Sequence, residues 1–390
     1  MSPLANSYVK PGGLNELEVF YPLHVRVCGE CLLVQLEAVT RPEEIFSDYA
    51  YFSSFSDSWL EHAKKYVVGV TQKFRLNARN WVVEIASNDG YLLQYFVEKG
   101  IPVLGIEPAK NVAEEAIRRG IPTRVQFFGE EAARCITAEG KRADLIIANN
   151  VLAHVPDLNG FLAGVQVLLS DSGVATMEFP HLLRLMQENQ FDTIYHEHFS
   201  YFSLIAVRRA FERNRLRIFD VEELKTHGGS LRVYACHAED ASKTTGGSVQ
   251  DLLARETAAG LHMLDCYKSF EEQVRRTKRA LLDFLISAKE IGKSVVAYGA
   301  PAKGNTLLNY CGVRGDFIDY TVDRSPHKQQ HFLPGTRIPI AHPDKIKETR
   351  PDYLLILPWN LKEEIMDQMR HIRDWGGQFV VPIPTVETYP

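Results

Sequence analysis

Along most of the chain, short apolar runs alternate with stretches whose apolar residues recur at helical spacing. Trp81-Val82-Val83-Glu84-Ile85 reads as a short buried strand, and residues 91–99 as the amphipathic helix after it. The pattern then repeats. Val103-Leu104-Gly105-Ile106-Glu107, Asp144-Leu145-Ile146-Ile147-Ala148 and Gly173-Val174-Ala175-Thr176-Met177-Glu178 read as strands, with helices over 111–119 and 158–169. Such alternation predicts a parallel sheet with right-handed crossovers. Leu231-Arg232-Val233-Tyr234-Ala235 reads as a late strand of it. Residues 249–291 form a long charged amphipathic stretch of one or two helices. The alternation restarts at Ser294-Val295-Val296-Ala297-Tyr298-Gly299 and continues through residues 317–323, 353–357 and 378–382, which predicts a second, smaller α/β domain.

The first 66 residues read differently. Residues 21–28 and 32–36 alternate with period 2 around Cys28-Gly29-Glu30-Cys31, as a hairpin carrying a knuckle would. The aromatic, hydroxyl-rich segment Asp48-Tyr49-Ala50-Tyr51-Phe52-Ser53-Ser54 follows, then a helix over 56–66. The expected class is α/β, with a β-rich Cys-x-x-Cys module over 1–66, a central sheet domain over 67–248, and a helical connector with a smaller α/β domain over 249–390.

Composition narrows the function classes. The chain has 390 residues, 45% hydrophobic and 24% charged, ordinary values for a soluble globular protein of two or three domains. The net charge of −5 and the lack of a basic stripe argue against nucleic acid as a partner. No apolar run is long enough to span a bilayer. Met1-Ser2-Pro3-Leu4-Ala5-Asn6 lacks the basic-then-apolar order of a signal peptide, so a cytoplasmic protein without a membrane partner is expected. Of six cysteines, only Cys28 and Cys31 are closely spaced. In a reducing compartment that pair reads as half a zinc site, a redox pair, or two reduced thiols. Structural zinc takes four ligands, and no second pair exists here, although His24 could serve as a third ligand.

Two segments carry chemistry. In Glu84-Ile85-Ala86-Ser87-Asn88-Asp89-Gly90-Tyr91-Leu92-Leu93, an apolar strand runs through a small, polar turn into a helix. A nucleotide cofactor requires such an approach at the carboxyl end of a strand. Glu107 ends the next strand, roughly 20 residues on, where a carboxylate bonds ribose hydroxyls. Ala86 and Asn88 replace the first two glycines of a pyrophosphate cradle, leaving Gly90. A cofactor without pyrophosphate is therefore favoured over NAD or FAD. S-adenosylmethionine (SAM) fits, with Glu84 and Asn88 near its charged amino-acid portion. The second segment, Tyr195-His196-Glu197-His198-Phe199-Ser200-Tyr201-Phe202-Ser203, packs imidazoles, a carboxylate and phenols together. That is equipment for moving a proton and managing the resulting carbanion or oxyanion. On a strand, Tyr195 and Glu197 would face away from His196 and His198; only a turn or short helix would bring base and carboxylate together.

The first of these motifs, with Gly105-Ile106-Glu107-Pro108, Asn149-Asn150-Val151-Leu152-Ala153-His154 and the 195–201 segment, resembles the family of SAM-dependent NDP-sugar C-methyltransferases. Thr226-His227-Gly228-Gly229-Ser230 and Tyr298-Gly299-Ala300-Pro301-Ala302-Lys303-Gly304-Asn305 extend the likeness over nearly the whole chain. The resemblance implies a zinc-ribbon-like N-terminal module, a Rossmann-like SAM domain and a C-terminal α/β domain. It implies His198 as the base, with Glu197, Tyr195, His154 and Tyr49 at the site; Tyr51 competes with Tyr49. Cofactor contacts would come from Glu84, Ala86, Asn88, Gly90, Tyr91, Leu92, Glu107, Pro108 and Asn149. Family members carry a further Cys-x-x-Cys ahead of the Pro-Leu-Ala-Asn segment, which this chain lacks, so Cys28 and Cys31 are doubtful zinc ligands.

A substrate side is also legible. Lys303 and small residues where a strand opens a helix make an anion site, assigned to an NDP pyrophosphate with Gly299 and Asn305 beside it. Trp359 could stack on a base or pack the domain, and His181 joins the substrate candidates. The implied partner is an NDP-sugar, with dTDP the expected nucleotide. Two alternatives stand beside this reading. An NAD(P)-dependent nucleotide-sugar oxidoreductase or epimerase is weakened by the missing glycines and the absence of a Tyr-x-x-x-Lys pair at the cluster. A non-catalytic nucleotide-sugar-binding protein would leave the acid/base segment unused.

Overall fold

The computed structural model describes residues 1–41, 53–55 and 57–390. Two compact units emerge, and neither is one continuous stretch of chain. A central unit comprises Val27–His181 and Phe199–His262; a composite unit comprises Met1–Arg26, Leu182–His198 and Met263–Pro390.

The central unit is built on a seven-stranded sheet. Its order is Thr123–Arg124, Val103–Ile106, Val82–Ile85, Ala143–Asn149, Leu169–Pro180, Ser230–His237 and Leu216–Leu224. The first five strands are parallel, and Ser230–His237 runs antiparallel to both of its neighbours. Val82–Ile85 and Val103–Ile106 are buried at every residue, as expected of mainly apolar strands covered on both faces, and Glu84 is buried with them. Val82–Ile85, the first strand of this sheet in chain order, sits in its middle, flanked by Val103–Ile106 and Ala143–Asn149. The winding reverses there, and ligands of α/β sheets collect beyond the carboxyl ends at such a switch. Val34–Leu36 pairs antiparallel with Ser200–Tyr201 in a separate small sheet.

Several elements depart from expectation. The helix expected over 56–66 runs Asp57–Lys73, because Val67 and Val70 continue its buried stripe. The helix expected over 91–99 is regular only at Gln94–Val97; Tyr91, Leu92 and Leu93 are buried in the turns before it. Leu216–Leu224 was not anticipated as a strand. It lies at the sheet edge and its second half is solvated, so it carries Asp220, Glu222 and Glu223.

In the composite unit the sheet order is Ile340–Ala341, Thr321–Val322, Val295–Tyr298, Tyr353–Ile356, Gln378–Val381 and Glu387–Tyr389, with only the last strand antiparallel. Its switch point falls between Val295–Tyr298 and Tyr353–Ile356. The amphipathic stretch over 249–291 is two helices, Gly247–Ala258 and Leu264–Glu290, interrupted where Gly260 takes φ 84°. Val274, Thr277, Leu281, Leu285 and Ala288 form the buried stripe of the second. Among the described residues, no helix is long and apolar enough to cross a membrane.

Candidate active site

The turn after Val82–Ile85 keeps a glycine-type backbone with few glycines. Ala86, Asn88 and Gly90 have φ of 53°, 51° and 78°. Asparagine tolerates that region, whereas alanine pays about 1 kcal/mol for it. Gly90 is sterically required, since a Cβ there would lie 2.2 Å from Ile121 Cδ1. Glu107, at the end of the neighbouring strand, accepts the Asn88 N–H at 2.9 Å and the Ala109 N–H at 2.8 Å, closing the turn. Burial raises the Glu107 pKa against those two bonds.

Around this turn, buried oxygens remain without partners among the described residues: Glu84 Oε2, Asp89 Oδ1 and Asn149 Oδ1. Glu84 is 1% exposed and bonds Tyr91; burial, then the nearby Glu107 charge, pushes its carboxyl well above the usual range. Native interiors seldom leave such groups unmatched. Unmatched acceptors at the carboxyl ends of adjacent strands suit a ligand carrying an ammonium group and hydroxyls. Leu92 is a core residue and Pro108 is half-buried. His154 ends the short helix Leu152–His154 and is partly exposed.

A polar cluster that the sequence did not signal lies at the end of Leu169–Pro180. Glu178, fully buried, accepts from Arg232 at 2.7 Å and from the Thr226 hydroxyl at 2.8 Å, and meets His62 Nε2 at 3.0 Å. Burial opposes its ionisation, but these partners hold it at about 2. Arg232 also bonds Glu222 at 2.8 Å and covers the Tyr66 ring. His181 is likewise internal to this unit. Its Nε2 meets Glu256 Oε1 at 2.7 Å, and Glu256 accepts the N–H groups of Leu204 and Ile205, which open helix Leu204–Arg213.

The acid/base segment of the composite unit is a turn, not a strand. The His198 N–H donates to the Tyr195 carbonyl at 3.0 Å, with His196 and Glu197 at the corner. The turn stacks Tyr195 against His198, ring centroids 4.3 Å apart. His198 Nδ1 is 3.0 Å from the Thr193 carbonyl. A carbonyl only accepts, so Nδ1 carries the proton and the neutral ring has its lone pair on Nε2. Glu197 bonds the side-chain amide of Asn6 at 2.6 Å. Burial raises its pKa to about 7, with Asn6 opposing. His196 is tied elsewhere, to the Pro22 carbonyl at 3.0 Å. Tyr49 and Tyr51 lie outside the described residues.

Further along the same unit, Gly299 turns the end of Val295–Tyr298 into helix Ala302–Cys311 with φ 90°; a Cβ there would meet Pro358 Cδ at 2.6 Å. Lys303 Nζ donates to Asn360 Oδ1 and lies 4.2 Å over the Trp359 ring. Burial pushes its amine down to about 8, with Asp192 opposing. The Trp359 indole N–H donates to Asp192 Oδ2 at 2.7 Å. Asp192 is fully buried, and burial raises it to about 6 despite Lys303. Trp359 therefore packs and braces. Asn305 is 1% exposed and donates to the Ala5 carbonyl at 2.6 Å, so its amide nitrogen ties the interior.

In the knuckle, the Leu32 N–H donates to the Cys28 carbonyl and the Cys28 N–H to the Leu33 carbonyl, each at 3.0 Å. The backbone amides of Cys31 and Glu30 lower the Cys28 thiol, while burial raises that of Cys31. Among the described residues no third His, Cys, Asp or Glu joins them. The pair supplies half of a tetrahedral thiolate set.

Profiles of known families cover most of the chain. One described as "C-methyltransferase C-terminal domain" matches residues 225–384, "Methyltransferase domain" matches 59–220, and "Putative zinc binding domain" matches 1–46. The C-methyltransferase NovU of Streptomyces niveus is 37% identical over 367 residues, 94% of this chain and 87% of that protein. Among solved structures, magnesium protoporphyrin IX methyltransferase from Synechocystis with bound SAH is 15% identical with a TM-score of 0.37, covering 46% of this chain and 83% of that one. The CcbJ methyltransferase of Streptomyces caelestis is 10% identical with a TM-score of 0.36, covering 45% and 89%.

Proposed function

We propose that this chain, which belongs to the family of SAM-dependent C-methyltransferases, methylates a carbon alpha to the ketone of an NDP-linked deoxysugar. The nucleotide is dTDP and the target is carbon 3 beside a 4-ketone, ahead of carbon 5. The observation that carries this reading is the 195–198 turn, in which a tautomer-defined imidazole stacks on a phenol.

Carbon is a poor nucleophile, so the C–H beside the ketone must first lose its proton. His198 Nε2 takes that proton, and Thr193 holds the ring in the tautomer that can. The Tyr195 hydroxyl donates to the oxygen on which charge develops. Glu197 sits at the corner of the turn and His154 is assigned to the substrate. Lys303 has no carboxylate within ion-pair distance among the described residues, and buried cations are ordinarily paired. We assign it to the pyrophosphate, at the N-terminus of helix Ala302–Cys311. Glu84, Asn149, Asn88 and Glu107 would hold SAM; among the described residues the unmatched oxygens of Glu84 and Asn149 fit its ammonium and hydroxyl groups. When bound, SAM supplies an electrophilic methyl to the carbanion that the chain's own residues generate.

The test is mass spectrometry of a dTDP-4-keto-6-deoxyhexose incubated in deuterated water with the protein. With SAM, we expect a methyl mass gain and S-adenosylhomocysteine; fragmentation then locates the carbon. His198→Asn should lower turnover and deuterium uptake by about 10³-fold, with SAM affinity by calorimetry unchanged. Retained uptake would remove His198 as the base. No reaction of the sugar, despite SAM binding, would remove the substrate class.

A further inference from the structure

We propose that Asn6 is a positioning residue for the base turn: its side-chain amide orients the buried carboxyl of Glu197 and stabilises its charged form. The proposal rests on the reading of the 195–198 turn as the proton-moving site.

Asn6 and Glu197 are 191 residues apart in sequence, yet Asn6 Nδ2 and Glu197 Oε1 lie 2.6 Å apart. Ionised Glu197 offers no donor, so in that form the amide turns its NH₂ toward it. Tyr8 stands on the other side of the amide. Its hydroxyl lies 3.2 Å from Asn6 Oδ1 and 2.6 Å from the Ala300 carbonyl. The single Tyr8 proton goes to the nearer Ala300 carbonyl, so the firm hold on the amide is at its Glu197 end. Tyr8 is braced in turn by Lys328, which bonds the Ala300 carbonyl at 3.0 Å and stands 3.9 Å from Asp323. Asp323 in turn accepts the Ala300 N–H at 2.8 Å.

The other titratable groups near Glu197 are committed elsewhere. His196 is tied to Pro22, His198 to Thr193, and Tyr195 stacks on His198. Among the described residues, Tyr8, with Lys328 and Asp323 behind it, is a further titratable neighbour. Burial opposes the charge of Glu197, and Asn6 is the group that favours it. The choice of a neutral amide has a consequence. Glu178, equally buried but paired with Arg232 and His62, is held at about 2, far from any proton exchange at neutral pH. One amide offsets burial only partly, so Glu197 can be ionised and still exchange a proton near neutrality. Asn6 is exposed at the surface, so replacing it empties no cavity.

The test is the carboxyl stretch of Glu197 followed against pH by difference infrared spectroscopy on the full chain, with Glu197→Gln as the reference. Asn6→Ala should raise the midpoint by about one pH unit. Asn6→Asp, which keeps the shape of asparagine but adds a like charge, should raise it further, and the acid limb of kcat/KM should move with it. Thermal unfolding of Asn6→Asp checks that the fold is intact. The same midpoint in all three proteins would overturn the proposal. Midpoints that shift in that order in a protein that neither exchanges nor methylates the sugar would support the role of Asn6 while removing the substrate reading.

Discussion

Glu178 and Glu197 are both buried glutamates at polar clusters, one in each unit, and their environments push them in opposite directions. Glu178 is closed on every side by protein: a guanidinium, an imidazole and a hydroxyl hold it ionised. Glu197 has one neutral amide. A burial cost met in full by fixed partners braces a structure; one met in part leaves a group able to respond to a ligand or a proton. The same contrast separates Arg232, which is locked between Glu178 and Glu222, from Lys303, which has an amide oxygen and an aromatic face but no carboxylate within ion-pair distance among the described residues.

The sharpest way to break this comparison is to make the same substitution at both glutamates. Glu178→Gln should destabilise the protein by about 3 kcal/mol at neutral pH, because Arg232 loses the charge it was buried against. The sign follows from linkage. The folded-state pKa of Glu178 is depressed, so its stabilisation is present above the ordinary value of 4.5 and is lost as pH falls toward about 2. The penalty of the variant should fade over that window. Glu197→Gln should do the reverse and stabilise by about 2 kcal/mol at pH 7, since a folded pKa raised to about 7 means that ionisation opposes folding. That gain should vanish below about pH 4, where both states are protonated. Urea titrations across pH measure both, and equal signs would show that burial is the same at the two sites.

How far the sequence showed these regions depends on the distance over which each feature is encoded. The α/β class was legible, because buried strands are local apolar runs such as Leu145-Ile146-Ile147-Ala148. The turn after Val82–Ile85 and the Lys303 turn were legible as strand-to-helix junctions. The cluster Tyr195 to His198 was visible as chemistry, but its shape as a turn was not, because the closing bond is a backbone bond that any residues could make. Asn6, Asp192 and the Glu178–Arg232 pair gave no signal. Their roles depend on partners 191, 167 and 54 residues away, which only the fold brings together. Left-handed Ala86 was also hidden, since local preference argues against it and the surrounding sheet overrides that preference.

Glu84 is the extreme case of a group left open, and it gives the next largest effect. One oxygen bonds Tyr91 and the other has no partner among the described residues. If it is reserved for the SAM ammonium, Glu84→Gln should weaken SAM binding by about 10- to 100-fold, the worth of a charge-assisted bond. The same variant should raise the melting temperature at pH 7. The folded pKa of Glu84 is raised, so ionisation opposes folding above the ordinary carboxylate range, and glutamine removes that cost. Weaker SAM binding together with lower stability would mean that the carboxylate is structural.

Lys303 gives the smallest and most discriminating effect. Its amine is pushed down to about 8, so it is charged at neutral pH and loses the charge as pH rises through that value. A lysine that holds a pyrophosphate should therefore give a KM for the nucleotide sugar that climbs above pH 8, with kcat changing less. Lys303→Met, which keeps the apolar stem over Trp359 without the charge, should raise KM about tenfold at pH 7 and flatten its pH dependence. Wild type and variant should then converge near pH 9, since both are neutral there. A KM difference that persists unchanged at high pH would show that Lys303 acts through packing on Trp359 and Asn360, and would move it from the open groups to the closed ones.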